Sequence, residues 1–191
     1  MLYVASASPR RRDLLVQYEI DFECVPNELT YEPLYSLAFV TPASYVEALA
    51  SMKAMVSGVH KSGWVLGADT IVVVDADVLG KPHSEDEAMA FLSRLSNRSH
   101  DVYSSFCLRS PCFKYLLTYT SKTSVIFSHL TLSMICDYIE SHDVLDKAGG
   151  YGIQDLPPGY LQGITGSFYT VMGLDIDRLK WVLDQAFFSV I

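Results

Sequence analysis

The sequence has little charge for its length, and the charge it has is mostly negative. Charged residues make up 19% of the 191 residues and hydrophobic residues 50%, a composition that favours a packed core over disorder. The net charge of −8 argues against a protein that grips nucleic acid through its phosphates, which requires a basic face. A small basic pocket inside an acidic protein is still compatible with it. At this length we expect one domain, with or without two lobes.

Long hydrophobic runs and clustered cysteines are also missing. No apolar stretch reaches 18 residues, so a membrane-spanning helix is not expected. Met1 to Val4 leads directly to polar residues and a basic triplet, so we expect no signal peptide. The four cysteines are scattered and lack the histidines or matching pair of a zinc site: Cys24, Cys107, Cys112 and Cys136. We therefore expect buried thiols and a soluble, cytoplasmic protein.

The most unusual stretch is an apolar run from Val65 to Val74 that contains one carboxylate and one hydroxyl, Asp69 and Thr70. Its β-branched residues predict a central strand buried on both faces. A carboxylate buried there is unfavourable unless it is paired or bound to a metal. Two interpretations of Asp69 are open: a functional acid at a cleft, or a hydrogen-bonded structural pair.

The first helix begins with the features of an anion site. A short strand, Leu2 to Ala5, leads through a small-residue loop to Ser8 and Pro9, which suit the N-cap and the first helical position. The free N–H groups and the dipole of such a helix start attract anions. The three arginines of the first turn, Arg10 to Arg12, oppose the dipole, which is tolerated mainly where an anion will arrive. A solvated basic turn is the alternative.

Two lysines stand out in the remaining pattern. Lys53 lies off the apolar face of a helix and by itself looks like a surface lysine, whereas Lys81 lies between Gly80 and Pro82 where a strand ends. Helices are expected over 41–57, 84–95, 132–140 and 175–187, and strands over 22–25, 78–79, 102–108, 115–127, 160–164 and 167–172. This mixture predicts an α/β protein with a mixed, partly antiparallel sheet.

An arginine-rich helix start, a carboxylate in a strand and a lysine at a strand end together suit phosphoanhydride hydrolysis. Neither the Walker sequence nor G-x-G-x-x-G is present. A competing interpretation is a haloacid-dehalogenase-type phosphatase, because Val72 to Val78 resembles the first motif of that class. Asp75 would then be its nucleophile and Asp77 its acid. A hairpin turn with two acids explains these residues more simply.

Short motifs are spread over nearly the whole chain: Ala5–Arg11, Leu14–Leu15, Leu49–Ala50, Lys53–Ala54, Gly67–Thr70, Gly80–Pro82, Ser99–Val102, Asp146–Gln154, Gly166–Tyr169 and Val171–Leu174. In these motifs and in their order the sequence resembles the Maf family of nucleoside-triphosphate pyrophosphatases. The resemblance implies an elongated, twisted sheet flanked by helices. It also implies a single Maf-like domain, 1–191, with two lobes around a central cleft, as in inosine-triphosphate pyrophosphatases.

The resemblance further implies hydrolysis of a nucleoside triphosphate to the monophosphate and pyrophosphate with a divalent cation, Mg²⁺ or Mn²⁺. Asp69 would accept the proton of the attacking water, or bind the metal in the same step. The positions that match the lining of the triphosphate cleft are Ser8, Arg10, Arg11, Lys53 and Lys81.

Three positions distinguish the branches of the family: Arg11, Thr70 and Gln154. Asp-Thr together with Ile-Gln resembles the branch that acts on dTTP and UTP, modified pyrimidine nucleotides included, and differs from the branch that acts on 7-methyl-GTP. Thr70 and Gln154 would hydrogen-bond the base or its neighbourhood. The resemblance therefore implies a house-cleaning role in nucleotide pools.

One departure from the family pattern concerns the metal. The acidic pair that usually follows the second strand is replaced by Thr30 and Tyr31, so Glu28 or Glu32 would have to supply that ligand. The departure keeps an alternative open, a nucleotide-binding regulator of cell division or septum formation with little turnover. In either case the expected partner is a nucleotide, not nucleic acid or membrane, and a homodimer is one possible assembly.

Overall fold

The structure is a computed structural model that describes residues 1–26, 41–56 and 63–188, without the side chains of Val56, Cys112 and 186–188. The strands are β1 (Leu2–Val4), β2 (Phe22–Cys24), β3 (Trp64–Val74), β4 (Asp77–Leu79), β5 (Ser99–Arg109), β6 (Leu116–Phe127) and β7 (Leu161–Thr165). The helices are α1 (Pro9–Gln17), α2 (Pro42–Val56), α3 (Glu85–Leu95), α4 (Leu132–Ser141), α5 (Phe168–Met172) and α6 (Ile176–Phe188).

In the described part of the chain these strands form one seven-stranded sheet in the order β2-β1-β3-β5-β6-β7, with β4 paired to β3. Strand β1 runs parallel to both β2 and β3, whereas β3–β4 and β6–β7 are antiparallel. The predicted α/β class with a mixed sheet and flanking helices is confirmed. Within the described ranges, every helix is too short or too polar to cross a bilayer.

The chain divides into two compact units. The first comprises Met1–Asp69, Ser104–Ser121 and Gly173–Ile191, and the second Thr70–Tyr103 and Lys122–Met172. The core of the second unit packs helices α3 and α4 with buried strand residues such as Val102, Val125 and Phe127. The two-lobed single domain and its cleft stay predictions.

The acids of the β3–β4 connection form the predicted hairpin. Val74 pairs with Asp77, and the turn residues Asp75 and Ala76 have φ of 51° and 67°. Arg94 binds Asp77 at 2.7 Å, and Arg98 binds Asp75 at 2.5 Å. Both carboxylates therefore form ion pairs with arginines and stabilise the turn. The hairpin explains both acids, and a phosphatase site is not needed to account for them.

Three expectations from the sequence are wrong. Residues 167–172 do not form a strand, because Gly166 (φ 128°) and Gly173 (φ 113°) bracket the short helix α5 and suit its two ends. Strand β5 begins at Ser99, three residues before the expected start at residue 102. Of the cysteines, Cys107 is buried as expected but Cys24 is exposed on the edge strand β2.

Gly67 determines how closely α2 approaches the sheet. A Cβ built on Gly67 would collide with the carbonyl oxygen of Ala50 and the amide nitrogen of Ala54, two main-chain atoms of α2. Both alanines are fully buried. The helix backbone therefore rests directly on β3 at this point, and only glycine permits that contact.

We expect Gly67→Ala to lower the free energy of unfolding by about 1–3 kcal/mol, since the added methyl group meets backbone that has no rotamer to escape into. Thermal and urea denaturation would measure this. Gly163→Ala is the matched control, because a Cβ there meets no described atom within 4 Å. Equal stability of the two variants would contradict the close contact.

Candidate functional site

Asp69 is paired with a lysine. It lies two residues after Gly67, so both face α2 from the same side of β3. Lys53 Nζ donates to Asp69 Oδ1 at 2.5 Å, and the two side chains are 10% and 13% exposed. The Ser104 hydroxyl lies 3.4 Å from the main-chain carbonyl oxygen of Asp69, to which it donates. The unfavourable burial of the carboxylate is thus offset by a cation, as the sequence required.

The surface position expected for Lys53 is wrong. The whole Lys53 residue is only 8% exposed, because the close approach of α2 to β3 at Gly67 places it next to Asp69. Its expected place off the apolar helix face is wrong as well, because Lys53 follows the buried Leu49 and Ala50 at helical spacings of four and three residues. Lys53 therefore lies on the buried face of α2, where Asp69 is its partner.

The arginine-rich loop is held by its own side chains. Ser8 is the N-cap of α1 in an extended conformation and Pro9 is the first helical residue, as predicted. Arg11 donates from Nε to the Gly173 carbonyl oxygen at 2.8 Å and from Nη1 to Ser6 Oγ at 3.0 Å. Arg12 donates to the carbonyl oxygen of Ala7 at 3.2 Å. Arg11 and Arg12 therefore brace the loop, and the fully solvated basic turn is excluded.

The loop follows β1, and Asp69 lies in the neighbouring parallel strand β3, beyond the residues that pair with β1. Val4 pairs with Leu66, and the Ala5 amide donates to the Leu66 carbonyl oxygen at 2.9 Å. The loop begins at the carboxyl end of β1, and Asp69 lies three residues beyond Leu66 in the same direction. Carboxyl ends of adjacent parallel strands are where ligands of α/β proteins usually bind. The first unit thus places a carboxylate, a lysine and an arginine-braced helix start at one end of its parallel strands.

The second unit contains the other predicted site residues. Lys81 is exposed just after β4, and Gln154 is exposed on a 3₁₀ turn, Ile153–Asp155. The Gly149 amide donates to the Gly80 carbonyl oxygen at 2.9 Å, which ties the lysine's segment to the glycine-rich segment that leads to Gln154. Gly149 has a φ of 70°, and a Cβ on it would lie 3.0 Å from Val72.

The predicted site residues therefore fall into two groups. Ser8, Arg10, Arg11, Lys53 and Asp69 belong to the first unit, and Thr70, Lys81 and Gln154 to the second. Within the first unit the contacts join Lys53 to Asp69 and hold Arg11, and within the second unit they join the segments of Gly80 and Gly149. Glu28 and Glu32, the predicted metal ligands, lie outside the described residues. Among the residues that the structure describes, no three His, Cys, Asp or Glu side chains group as a metal site.

A family model described as Maf-like protein matches residues 1–186. The chain belongs to the Maf family. A relative from Bacillus cytotoxicus named dTTP/UTP pyrophosphatase is 42% identical over 95% of this chain and 93% of its own length. A relative of the same name from Ruminiclostridium cellulolyticum is 37% identical over 96% of this chain and 95% of its own length.

Solved structures give a weaker comparison with this Maf protein. A HAM1 protein from Coxiella burnetii aligns with a TM-score of 0.49 at 14% identity, over 96% of this chain and 98% of that chain. A likeness at this level is too low to support a conclusion.

One buried pair in the Maf motifs was not predicted. His100 Nε2 lies 2.7 Å from the Tyr151 hydroxyl, and the two rings contact edge-on with centroids 5.5 Å apart. Phe127 packs on both rings. Burial lowers the pKa of His100 from 6.5 to about 4, and burial also raises the pKa of Tyr151. Both groups are neutral at physiological pH, and the pair anchors the segment that leads to Gln154.

We expect acid to destabilise the protein through His100. The unfolded chain takes up a proton near pH 6.5 and the folded protein only near pH 4, so the free energy of unfolding falls as the pH drops through that window, by about 2–3 kcal/mol. Denaturation at pH 7 and pH 4.5 would measure the loss. Between these pH values the free energy of unfolding should fall less in His100→Gln than in the wild type. His129 is exposed, and His129→Gln should show the same fall as the wild type.

Proposed function

We propose that the protein hydrolyses dTTP and UTP to the monophosphate and pyrophosphate, and so clears these or modified pyrimidine nucleotides from cytoplasmic pools. The names of the relatives at 42% and 37% identity support this substrate class. The observation that carries the proposal is the Asp69 carboxylate, held by Lys53 at 2.5 Å beside an arginine-braced helix start.

Asp69 acts as the general base. It takes a proton from a water whose oxygen attacks the α-phosphorus, while the bond from that phosphorus to the oxygen bridging to the β-phosphorus breaks and pyrophosphate leaves. Lys53 orients the carboxylate and offsets its negative charge, which would otherwise repel the triphosphate. Two hydrogen bonds fix the Arg11 guanidinium, so its positive charge is presented without reorganisation.

The other charged and polar groups bind the substrate. Ser8 and the first amides of α1 receive phosphate oxygens, as helix starts do, and Arg10 and Lys81 neutralise the remaining charge. Thr70 and Gln154 hydrogen-bond the base, because hydroxyl and amide groups match the donors and acceptors of a pyrimidine edge. The cleft between two lobes of a single domain is part of this proposal.

We test this first with Asp69→Asn, which keeps the size of the side chain and removes the base. Pyrophosphate release from dTTP and UTP should fall at least about 100-fold in kcat, the range typical for loss of a general base. Asp21→Asn, at an exposed acid of the same unit, is the control and should be fully active. Unchanged turnover in Asp69→Asn would remove this residue from the mechanism. Wild-type binding of dTTP without pyrophosphate release would support the regulatory alternative.

We propose that the reaction needs Mg²⁺ or Mn²⁺. Asp69 is the predicted metal ligand that lies among the described residues, and its carboxylate is a donor that suits these cations. Magnesium commonly binds one or two carboxylates together with substrate phosphates, so the cation would arrive with the triphosphate.

Removal of divalent cations should therefore abolish turnover and leave the fold intact. We expect pyrophosphate release to stop in excess EDTA and to return with Mg²⁺ or Mn²⁺, while the melting temperature without nucleotide changes little. Full turnover in EDTA would contradict the cation requirement. A large fall in melting temperature would instead indicate a cation bound by the protein itself.

A further inference from the structure

Gln154 is exposed, and the direction of its side chain depends on the backbone segment that carries it. It lies in the one-turn 3₁₀ helix Ile153–Asp155, in which the Asp155 amide donates to the Gly152 carbonyl oxygen at 3.0 Å. A single turn of this kind is weakly held by its own hydrogen bonds. The direction of Gln154 therefore depends on what fixes the residues just before and after it.

The residue before the turn is fixed by a tyrosine. The Gly152 amide donates to the Tyr138 hydroxyl at 3.1 Å, in a buried position. Tyr138 is 1% exposed on α4, and its ring stacks on His142 with centroids 4.4 Å apart and an angle of 20°. The ring alone would satisfy the packing of the core, so the hydroxyl is the part of the side chain that reaches the Gln154 turn.

The residue after Gln154 is fixed by a lysine. Lys147 is buried, its Nζ donates to the Asp143 carbonyl oxygen, and it lies 3.2 Å from Asp146 Oδ1 and 3.9 Å from Asp155 Oδ2. The arrangement is tight around Gly152, where a Cβ would fall 2.6 Å from Asp155 Oδ2 and 3.0 Å from Lys147 Cε. Gln154 is thus held on one side through Gly152 and on the other through Asp155.

We propose that Tyr138 is a positioning residue for base recognition, and that its hydroxyl sets the direction in which Gln154 presents its amide. The inference rests on the proposed function, in which Gln154 contacts the pyrimidine base. Lys147 and Asp155 support the same turn from the other side. Tyr138 is buried in the core of the second unit and acts on base recognition through the Gly152 amide.

The test compares nucleotide selectivity in Tyr138→Phe and the wild type, as the ratio of kcat/KM for UTP to that for CTP. We expect the ratio to fall by about threefold to tenfold, the range set by loss of one buried hydrogen bond. Hydrogen exchange at the Gly152 amide should become faster in the same variant, which is a readout independent of activity. Gln154→Ala should also lower the ratio, and adding Tyr138→Phe to it should cause no further loss.

Tyr160→Phe is the matched control. Its ring contacts that of Tyr138 with centroids 5.8 Å apart, but its hydroxyl donates to the Met134 carbonyl oxygen at 2.5 Å and not to the Gln154 turn. We expect this variant to lose stability and keep its selectivity. Equal loss of selectivity in both tyrosine variants would overturn the inference, since the effect would then come from the core in general.

The remaining outcomes separate the two proposals. If Gln154→Ala lowers the ratio and Tyr138→Phe does not, the positioning role is wrong and the proposed function stands. If Gln154→Ala leaves the ratio unchanged, the base contact fails and the inference fails with it. If Tyr138→Phe does not fold, Asp155→Asn provides a second test, because it weakens the contact of the same turn with Lys147. An unchanged ratio of kcat/KM for UTP to that for CTP in Asp155→Asn would also count against the inference.

Discussion

The contact between α2 and β3 at Gly67 is the constraint on which the rest of the first unit depends. A missing Cβ lets two backbones touch, and the same face of α2 holds Lys53 within 2.5 Å of Asp69. Because Lys53 offsets the charge of Asp69, a carboxylate can be buried in the otherwise mostly apolar strand β3. Without the close contact, Asp69 would be an unpaired acid in a core and the strand would be destabilised.

Single hydrogen bonds to main-chain groups connect motifs that are far apart in the sequence. Arg11 reaches the carbonyl oxygen of Gly173 across 162 positions, and the Gly149 amide reaches that of Gly80. Each bond lies within one compact unit. The motifs that extend over nearly the whole chain therefore include residues whose contacts hold the backbone in place.

The sequence predicted most of the sheet, the start of α1 and the hairpin at Asp75, because these follow from local patterns of β-branched residues, caps and turn residues. It failed where tertiary contact decides. Lys53 looked exposed because a charged residue is usually assigned to the solvent side of a helix, although its spacing from Leu49 and Ala50 places it on the buried face. Residues 167–172 looked like a strand because their aromatic and β-branched composition outweighed the two glycines that enclose α5. Tyr138 carried no signal, since a tyrosine in a helix core is ordinary until its hydroxyl is seen to have a partner.

The bond from Arg11 to Gly173 has a consequence for how variation in this protein would be interpreted. The acceptor is a main-chain oxygen, which no substitution can remove, but its direction is set by a backbone φ of 113° that side chains rarely adopt. A change at Gly173 would turn that oxygen away and release the guanidinium, although position 173 carries no reactive group. In a genetic screen such a change would have the same effect as a substitution in the arginine-rich loop, although the altered residue lies near the other end of the chain.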